Sequence, residues 1–155
     1  MILREMEPKD VPGCFVVRTS VRENHLSREE LRRLGITEES VTALLTTTHK
    51  GWVCEIDRQI VGFSMGNHHT GELWIIAVRP DYEGRGIGRR LIELTVHWLQ
   101  ARGCPGIWLW TSPDVSLRAY AFYLKSGWED CGIQDNQRMM KLRRLQSDPI
   151  LKNGA

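Results

Sequence analysis

The sequence predicts a mixed α/β (α+β) domain, a single sheet with helices on both faces. Three observations carry this. Short segments with a strand period alternate with segments whose apolar residues recur at helical spacing. Their order along the chain is β, helices, β, β, β, α, β, α, β, β, which calls for a mixed sheet with helices packed against it. The 155 residues, 41% hydrophobic and 26% charged, have the size and composition of one ordinary globular core. A domain over residues 1–144 with a frayed tail at 145–155, where Asp148-Pro149 and Asn153-Gly154 break any pattern, is therefore expected.

Ile2 to Met6 reads as a first strand. From Pro8 to Thr48 the period becomes helical: Val11 and Phe15, then Leu31 and Leu34, keep one face, and Ser27 followed by Glu30 forms a capping box. Two or three helices result, broken near Asn24 and Gly35. Trp52 to Ile56 and Ile60 to Met65 are strand-like and joined tightly by Asp57-Arg58-Gln59, a hairpin. Glu72 to Val78 is a nearly continuous apolar run, as expected of a central strand buried on both faces. Asp81 to Gly88 is a glycine-rich turn. It leads into a helix with Ile87, Leu91, Leu94 and Trp98 on one stripe and Arg89, Arg90, Glu93 and His97 off it, stopped by Gly103 and Pro105. Ile107 to Thr111 is a strand, and Leu117 to Ser126 a helix closed by Gly127. Strands near Trp128 to Ile133 and Arg138 to Leu142 complete the order.

Charge and cysteine usage narrow the function. Lys and Arg total 21 against 19 Asp and Glu, a balance of +2 without a block of like charge, so no nucleic-acid partner is expected. No apolar run approaches a membrane span and no secretory h-region opens the chain, so no membrane partner is expected either. Cys14, Cys54, Cys104 and Cys131 show no C-x-x-C or zinc spacing and read as free thiols of a cytoplasmic protein, with no metal.

The glycine turn is the informative segment. Around Gly84, Gly86 and Gly88, backbone N–H groups can point one way because glycine permits φ > 0 and close approach of a ligand. Together with the first N–H groups of the following helix they make an anion cradle, favoured by the helix dipole. A Rossmann G-x-G-x-x-G begun at Gly84 needs glycine at 89, and a Walker loop needs Gly-Lys at 89 and 90; both positions are Arg. A tight turn with no ligand is the competing reading. In the helix S-L-R-A-Y-A-F-Y-L-K-S-G-W, spacing puts Ser116 and Tyr123 on one face, as acid-base or binding groups or as core fillers.

Together these segments resemble the GNAT superfamily of acyl-CoA-dependent N-acetyltransferases, from about Glu72 to Gly132. The family pattern [R/Q]-x-x-G-x-[G/A] is similar to Glu83-Gly84-Arg85-Gly86-Ile87-Gly88, preceded by Val78-Arg79-Pro80. The block N-x-x-A-x-x-F-Y-x-x-x-G-F is similar to Ser116-x-x-Ala119-x-x-Phe122-Tyr123-x-x-x-Gly127-Trp128. Glu83 and Ser116 depart from the pattern, leaving Arg85 as the side chain for the pyrophosphate and a shorter reach to the pantetheine arm.

The resemblance implies a GNAT-like mixed, mostly antiparallel central sheet and acetyl-CoA as co-substrate. Pantetheine would lie along Ile76, Ala77 and Val78, and the pyrophosphate on Gly84, Arg85, Gly86, Ile87, Gly88 and Arg89, with Ser116 and Tyr123 also at the cofactor. It implies a strand bulge at Ala77/Val78 that frees an N–H for the oxyanion, Glu72 as base and Tyr123 as the acid for the departing thiolate. Glu55, Asp57 and His68-His69 remain alternative bases, and a ping-pong route through one of the cysteines is disfavoured because none lies in a motif block. The acceptor would be a primary amine on a small molecule or peptide, its cleft walled by the segments 18–45 and 134–140. There Arg18, Arg22, His25, Arg28, Arg32 and Arg33 could attract an anion or merely be solvated, and Trp74 and Trp110 could line the pocket. A homodimer is compatible with this, and a GNAT fold that binds CoA without catalysis is the alternative.

Overall fold

The computed structural model describes residues 1–143, so the tail expected at 145–155 lies outside the described residues. The chain divides into two compact units, Met1–Leu109 and Trp110–Ala155.

In the first unit, β1 (Ile2–Glu5), β2 (His49–Ile56), β3 (Gln59–Asn67) and β4 (Glu72–Val78) pair antiparallel in that order. β5 (Trp108–Thr111), of which Trp108 and Leu109 belong to this unit, pairs with β4 in parallel through Glu72 opposite Trp108. The sheet is thus mixed and mostly antiparallel, and helices cover both of its faces. α1 (Val11–Ser20), α2 (Arg28–Arg33) and α3 (Glu38–Leu45) lie on one side, where Val11, Cys14, Phe15 and Val17 pack with Val53, Phe63, Met65 and Ala77. α4 (Ile87–Ala101) lies on the other, its Ile87 and Leu91 packed with Trp52, Cys54 and Val61. The alternation of β2 and β3 between these clusters is the strand period expressed as two cores.

Local chemistry sets the boundaries. The break before α2 carries Asn24 at φ 54°, and Ser27 and Glu30 close the expected capping box, each side chain accepting the other residue's N–H. Asp57 (φ 50°) and Arg58 (φ 65°) both take the left-handed conformation, the two-residue turn that suits the twist of a hairpin. Both flanking strands run further than their apolar residues suggest, because His49↔Asn67 and Lys50↔Gly66 extend the ladder through polar positions. At the centre, Ser64 is fully buried and satisfied: its hydroxyl donates to the Leu91 carbonyl at 3.2 Å and meets the Thr95 hydroxyl at 2.7 Å.

One expectation about β4 is corrected. Only Leu73 and Ala77 are buried, and the remaining five residues are partly exposed, so the apolar run is not covered on both faces. The physical reason is pairing: among the described residues β4 and β5 form the single pair Glu72↔Trp108, and the edge of β4 that faces away from β3 has no further partner strand in this unit.

The second unit contains α5 (Arg118–Lys125) and the antiparallel hairpin β6 (Trp128–Gln134) and β7 (Gln137–Leu142). Gly127, at φ 91°, ends α5 as its position predicts. Tyr123, Trp128 and Met140 are buried here. Asp130 accepts from the Gly132 N–H at 2.8 Å, from Arg138 at 2.7 Å and from the Tyr120 hydroxyl at 2.9 Å, and these donors, the Gly132 N–H foremost, hold its carboxyl below the usual carboxylate range.

Candidate functional site

The glycine turn is built by two positive-φ residues and one plug. Gly84 (φ 76°) and Gly86 (φ 79°) take the left-handed conformation, and Gly86 caps α4. Ile87 is buried in the α4-side cluster with Val61, Ile76 and Val78 packed around it. Gly62 permits this approach, since a Cβ there would stand 3.2 Å from the Ile87 methyl. Gly88 is corrected: it is an ordinary helical residue inside α4 and contributes its N–H, not a positive φ. The first helical bond runs from the Arg90 N–H to the Gly86 carbonyl at 3.2 Å, so the N–H groups of Ile87, Gly88 and Arg89 precede the ladder. A Cβ added at Gly84 or Gly86 would meet nothing within 4 Å, so the turn faces open space. Two guanidinium groups lie over the Tyr82 ring, Arg79 at 5.6 Å and Arg85 at 4.8 Å from its centroid. An oligophosphate fits this donor set: backbone N–H groups, a helix N-terminus and flanking cations.

β4 leads directly into the turn. Ile76 and Val78 face α4, and Ala77 faces the opposite core. The expected bulge at Ala77/Val78 is not there, since Val78, Ala77, Ile76 and Ile75 pair in unbroken register with Gly62, Phe63, Ser64 and Met65. The extra residue is Trp74, between Leu73, opposite Gly66, and Ile75, opposite Met65. The shift lets both Trp74 and Ile75 pack toward the α1–α3 core, and the Trp74 ring meets His49 edge-on at 5.1 Å.

Glu72 begins β4, opposite Asn67 on one side and Trp108 on the other. The close approach at Gly71 (φ 82°) positions it. The Trp108 N–H donates to the Gly71 carbonyl at 3.2 Å and the Trp108 indole N–H to the Thr70 carbonyl at 2.9 Å. A Cβ on Gly71 would collide with the Gly106 carbonyl. Glu72 is half-buried, and desolvation pushes its carboxyl above the usual carboxylate range. The alternative bases are placed differently. Asp57 is exposed in the β2–β3 turn, and Glu55, near the same end of β2, lies 3.7 Å from the Arg4 guanidinium. His68 and His69 stack at 4.6 Å in the turn before Glu72, with His68 edge-on to Trp98 at 5.7 Å.

His49 escaped the sequence reading because the start of β2 is polar and only cross-strand pairing reveals it. It accompanies Glu72 on the α1–α3 face, two strands away through Asn67. Its Nδ1 lies 2.7 Å from the Thr48 hydroxyl, and burial lowers its pKa to about 4, so it is neutral near pH 7.

Ser116 and Tyr123 belong to the second unit. Ser116 precedes α5, which starts at Arg118, so it does not share a helical face with Tyr123 as its spacing suggested. Its hydroxyl donates to Asp114 Oδ1 at 2.6 Å, and its N–H to the same oxygen at 2.9 Å. Tyr123 is 7% exposed, tilted against Phe122 at 5.6 Å and edge-on to Trp128 at 6.0 Å, and burial raises its phenol well above the ordinary value. Of the thiols, Cys14 and Cys54 are buried, and desolvation pushes Cys14 up to about 12. Among the described residues no group of three or more His, Cys, Asp or Glu could hold a metal ion, and no helix is long and apolar enough to cross a membrane.

A mixed, mostly antiparallel sheet whose β4 runs into a glycine turn capping α4 is the class of fold that solved GNAT-type acetyltransferases share. The chain matches the family described as Acetyltransferase (GNAT) family over residues 17–128, and it belongs to that family. It is 42% identical over 64 residues to an acetyltransferase of Pectobacterium atrosepticum, an alignment covering 40% of this chain and 45% of that protein. The chain thus spans less than half the length of the curated relatives it matches. Among solved structures, PaiA N-acetyltransferase from Thermoplasma acidophilum in complex with coenzyme A superposes with a TM-score of 0.78 at 16% identity, covering 92% of this chain and 99% of that one. The ribosomal-protein-S18-alanine N-acetyltransferase from Escherichia coli gives 0.71 at 18% identity over 96% of each chain. At these identities the likeness speaks for the fold.

Proposed function

We propose that this protein transfers the acetyl group of acetyl-CoA to a primary amine of a small molecule or peptide by direct attack. The observation that carries this reading is the glycine turn with the N–H groups of Ile87, Gly88 and Arg89, opening α4 after a strand whose edge away from β3 is paired, among the described residues, at Glu72↔Trp108 alone. The turn takes the pyrophosphate, with Arg85 beside it, and the edge of β4 at Ile76, Ala77 and Val78 takes the pantetheine amides as an added strand would.

An amine attacks only when neutral, so its proton must be removed. Glu72 takes it, directly or through a water, and its raised pKa makes it a stronger base than an exposed carboxylate. The nitrogen lone pair forms the new C–N bond, the carbonyl oxygen takes up negative charge, and a backbone N–H of β4 stabilises it. Collapse breaks the C–S bond, and Tyr123, held protonated by burial, gives its proton to the thiolate. No acyl-enzyme is needed. Isothermal calorimetry with acetyl-CoA, followed by release of free CoA thiol across a panel of amines, amino acids and peptide N-termini, is the test; absence of binding at millimolar acetyl-CoA rejects the reading.

Two observations favour a second reading, a GNAT-fold module that binds CoA without catalysis. The Ser116 hydroxyl is already donated to Asp114, and Glu83 sits where the family carries Arg or Gln. Binding of acetyl-CoA without thiol release on any amine distinguishes it.

A further inference from the structure

The arginines between α1 and α3 are not equivalent. Arg32 and Arg33 are exposed and reach Glu29 at 3.6 and 3.9 Å, and Arg28 stacks over Phe15 at 5.1 Å with Glu38 at 4.0 Å. Arg18, in the last turn of α1, has no such balance. Its Nη2 donates to the Asn24 carbonyl at 3.3 Å, while Nη1 is buried with no hydrogen-bond partner among the described residues. No carboxylate among them lies within ion-pair distance, and desolvation works against its charge.

A guanidinium does not escape this cost by losing its proton. A half-buried cation with an unmet donor is therefore paid for in stability, which ordinarily exposes it to replacement unless a ligand uses it. Its position suits that use. α1 packs on β3 and β4, and Val17 and Val21, which flank Arg18 in sequence, belong to the apolar cluster that holds Trp74, Ile75 and Ala77. Arg18 thus stands over the sheet face that carries Glu72 and the Trp74 bulge.

We propose that Arg18 recognises a carboxylate on the acceptor, so that the amine acetylated by this protein is carried by an amino acid or another amine bearing a carboxylate. This rests on the transferase reading above and adds the class of acceptor. The planar fork of a guanidinium matches a carboxylate with two parallel hydrogen bonds. A single uncompensated cation balances a monoanion, where a phosphate dianion would call for more.

The test uses the full chain with acetyl-CoA and matched probes at equal ionic strength: L-alanine against L-alaninamide, β-alanine against β-alaninamide, and phosphoethanolamine against ethanolamine. Both acetyl transfer and the shift of Tm caused by each amine are measured, in the parent, Arg18→Met and Arg18→Lys. The expected result is that at least one acid exceeds its amide by tenfold or more in kcat/KM, through KM, because the neutral amide cannot accept the charge-assisted hydrogen bonds that the carboxylate does. Arg18→Met abolishes the preference, Arg18→Lys retains part of it, and the Tm shift caused by acetyl-CoA is unchanged in both. Equal use of acids and amides, a preference that survives Arg18→Met, or a preference for phosphoethanolamine overturns the proposal. If no amine is acetylated, the transferase reading fails separately, and the Tm shifts decide: stabilisation by an acid, not by its amide, that Arg18→Met removes supports carboxylate recognition, and its absence overturns it. Loss of the acetyl-CoA shift in both variants marks Arg18 as structural and also overturns it.

Discussion

Two roles for Tyr123 make different demands on its hydroxyl. As an acid it acts on charge that develops only as the thiolate leaves, so Tyr123→Phe lowers kcat with little change in acetyl-CoA affinity. General acids contribute about 10²- to 10⁴-fold, and the lower end is expected for a thiol leaving group. As a core filler packed against Trp128, the same change costs about 1 kcal/mol of stability and spares turnover. Measuring kcat and Tm on one variant separates them; a stable variant within about threefold of the parent kcat removes Tyr123 from the mechanism. Glu72 gives a prediction with a pH sign. Burial raises its folded pKa above the unfolded value, so its ionisation lowers stability as pH rises through that interval, and the base is active only above its folded pKa. The acid limb of kcat/KM is therefore expected above about 4.3, the ordinary Glu value. Glu72→Gln removes the limb, lowers kcat, and leaves Tm at pH 7 equal to or above the parent. A retained limb assigns the base elsewhere, with neighbouring His68 next in order.

At the scale of elements, the turn before α4 separates backbone conformation from space. Gly86 sits at φ 79° with open space above it, so a side chain there meets no protein atom but pays for the left-handed conformation and occupies the ligand's approach. Gly86→Val is expected to abolish acetyl-CoA binding by calorimetry while costing about 1–2 kcal/mol of stability. Gly88→Ala, inside the helix, is expected to keep the fold and even stabilise it slightly, because alanine is the better helix former. Normal acetyl-CoA affinity in a folded Gly86→Val protein would show that the phosphates lie elsewhere.

On the scale of the whole molecule, acid stability reports how the chain start is tied to the first unit. Arg4 on β1 donates to both oxygens of Asp10, at 2.8 and 2.9 Å, and the Glu7 N–H donates to the same carboxylate. The Arg4 guanidinium holds Asp10, only 6% exposed, below the usual carboxylate range. Its contribution is present above the unfolded value of about 3.9 and is lost as pH falls through the lower folded value. Asp10→Asn is expected to cost about 2 kcal/mol at pH 7, a charge-assisted pair with one partly exposed partner, and the gap to the parent closes below pH 4 in acid titrations followed by circular dichroism. A gap independent of pH would mean that Asp10 acts through packing alone.

What the sequence determined by itself was whatever depends on neighbours along the chain. The order of elements, the Ser27–Glu30 box, the tight turn at Asp57-Arg58, the helix stop at Gly127 and the turn at Gly84 and Gly86 were legible because period and turn residues act within a few positions. Tertiary structure alone decided where distant segments meet. It moved the bulge to Trp74, because that ring packs on a core built by α1 to α3. It extended β2 back to His49, which pairing with Asn67 imposes on a polar stretch. It left most of β4 partly exposed although its composition reads as buried, since burial depends on which strands pair beside it. And it left Arg18, unlike Arg28, Arg32 and Arg33, with a buried donor unmet among the described residues, because charge compensation is a property of three-dimensional neighbours that spacing along the chain does not encode.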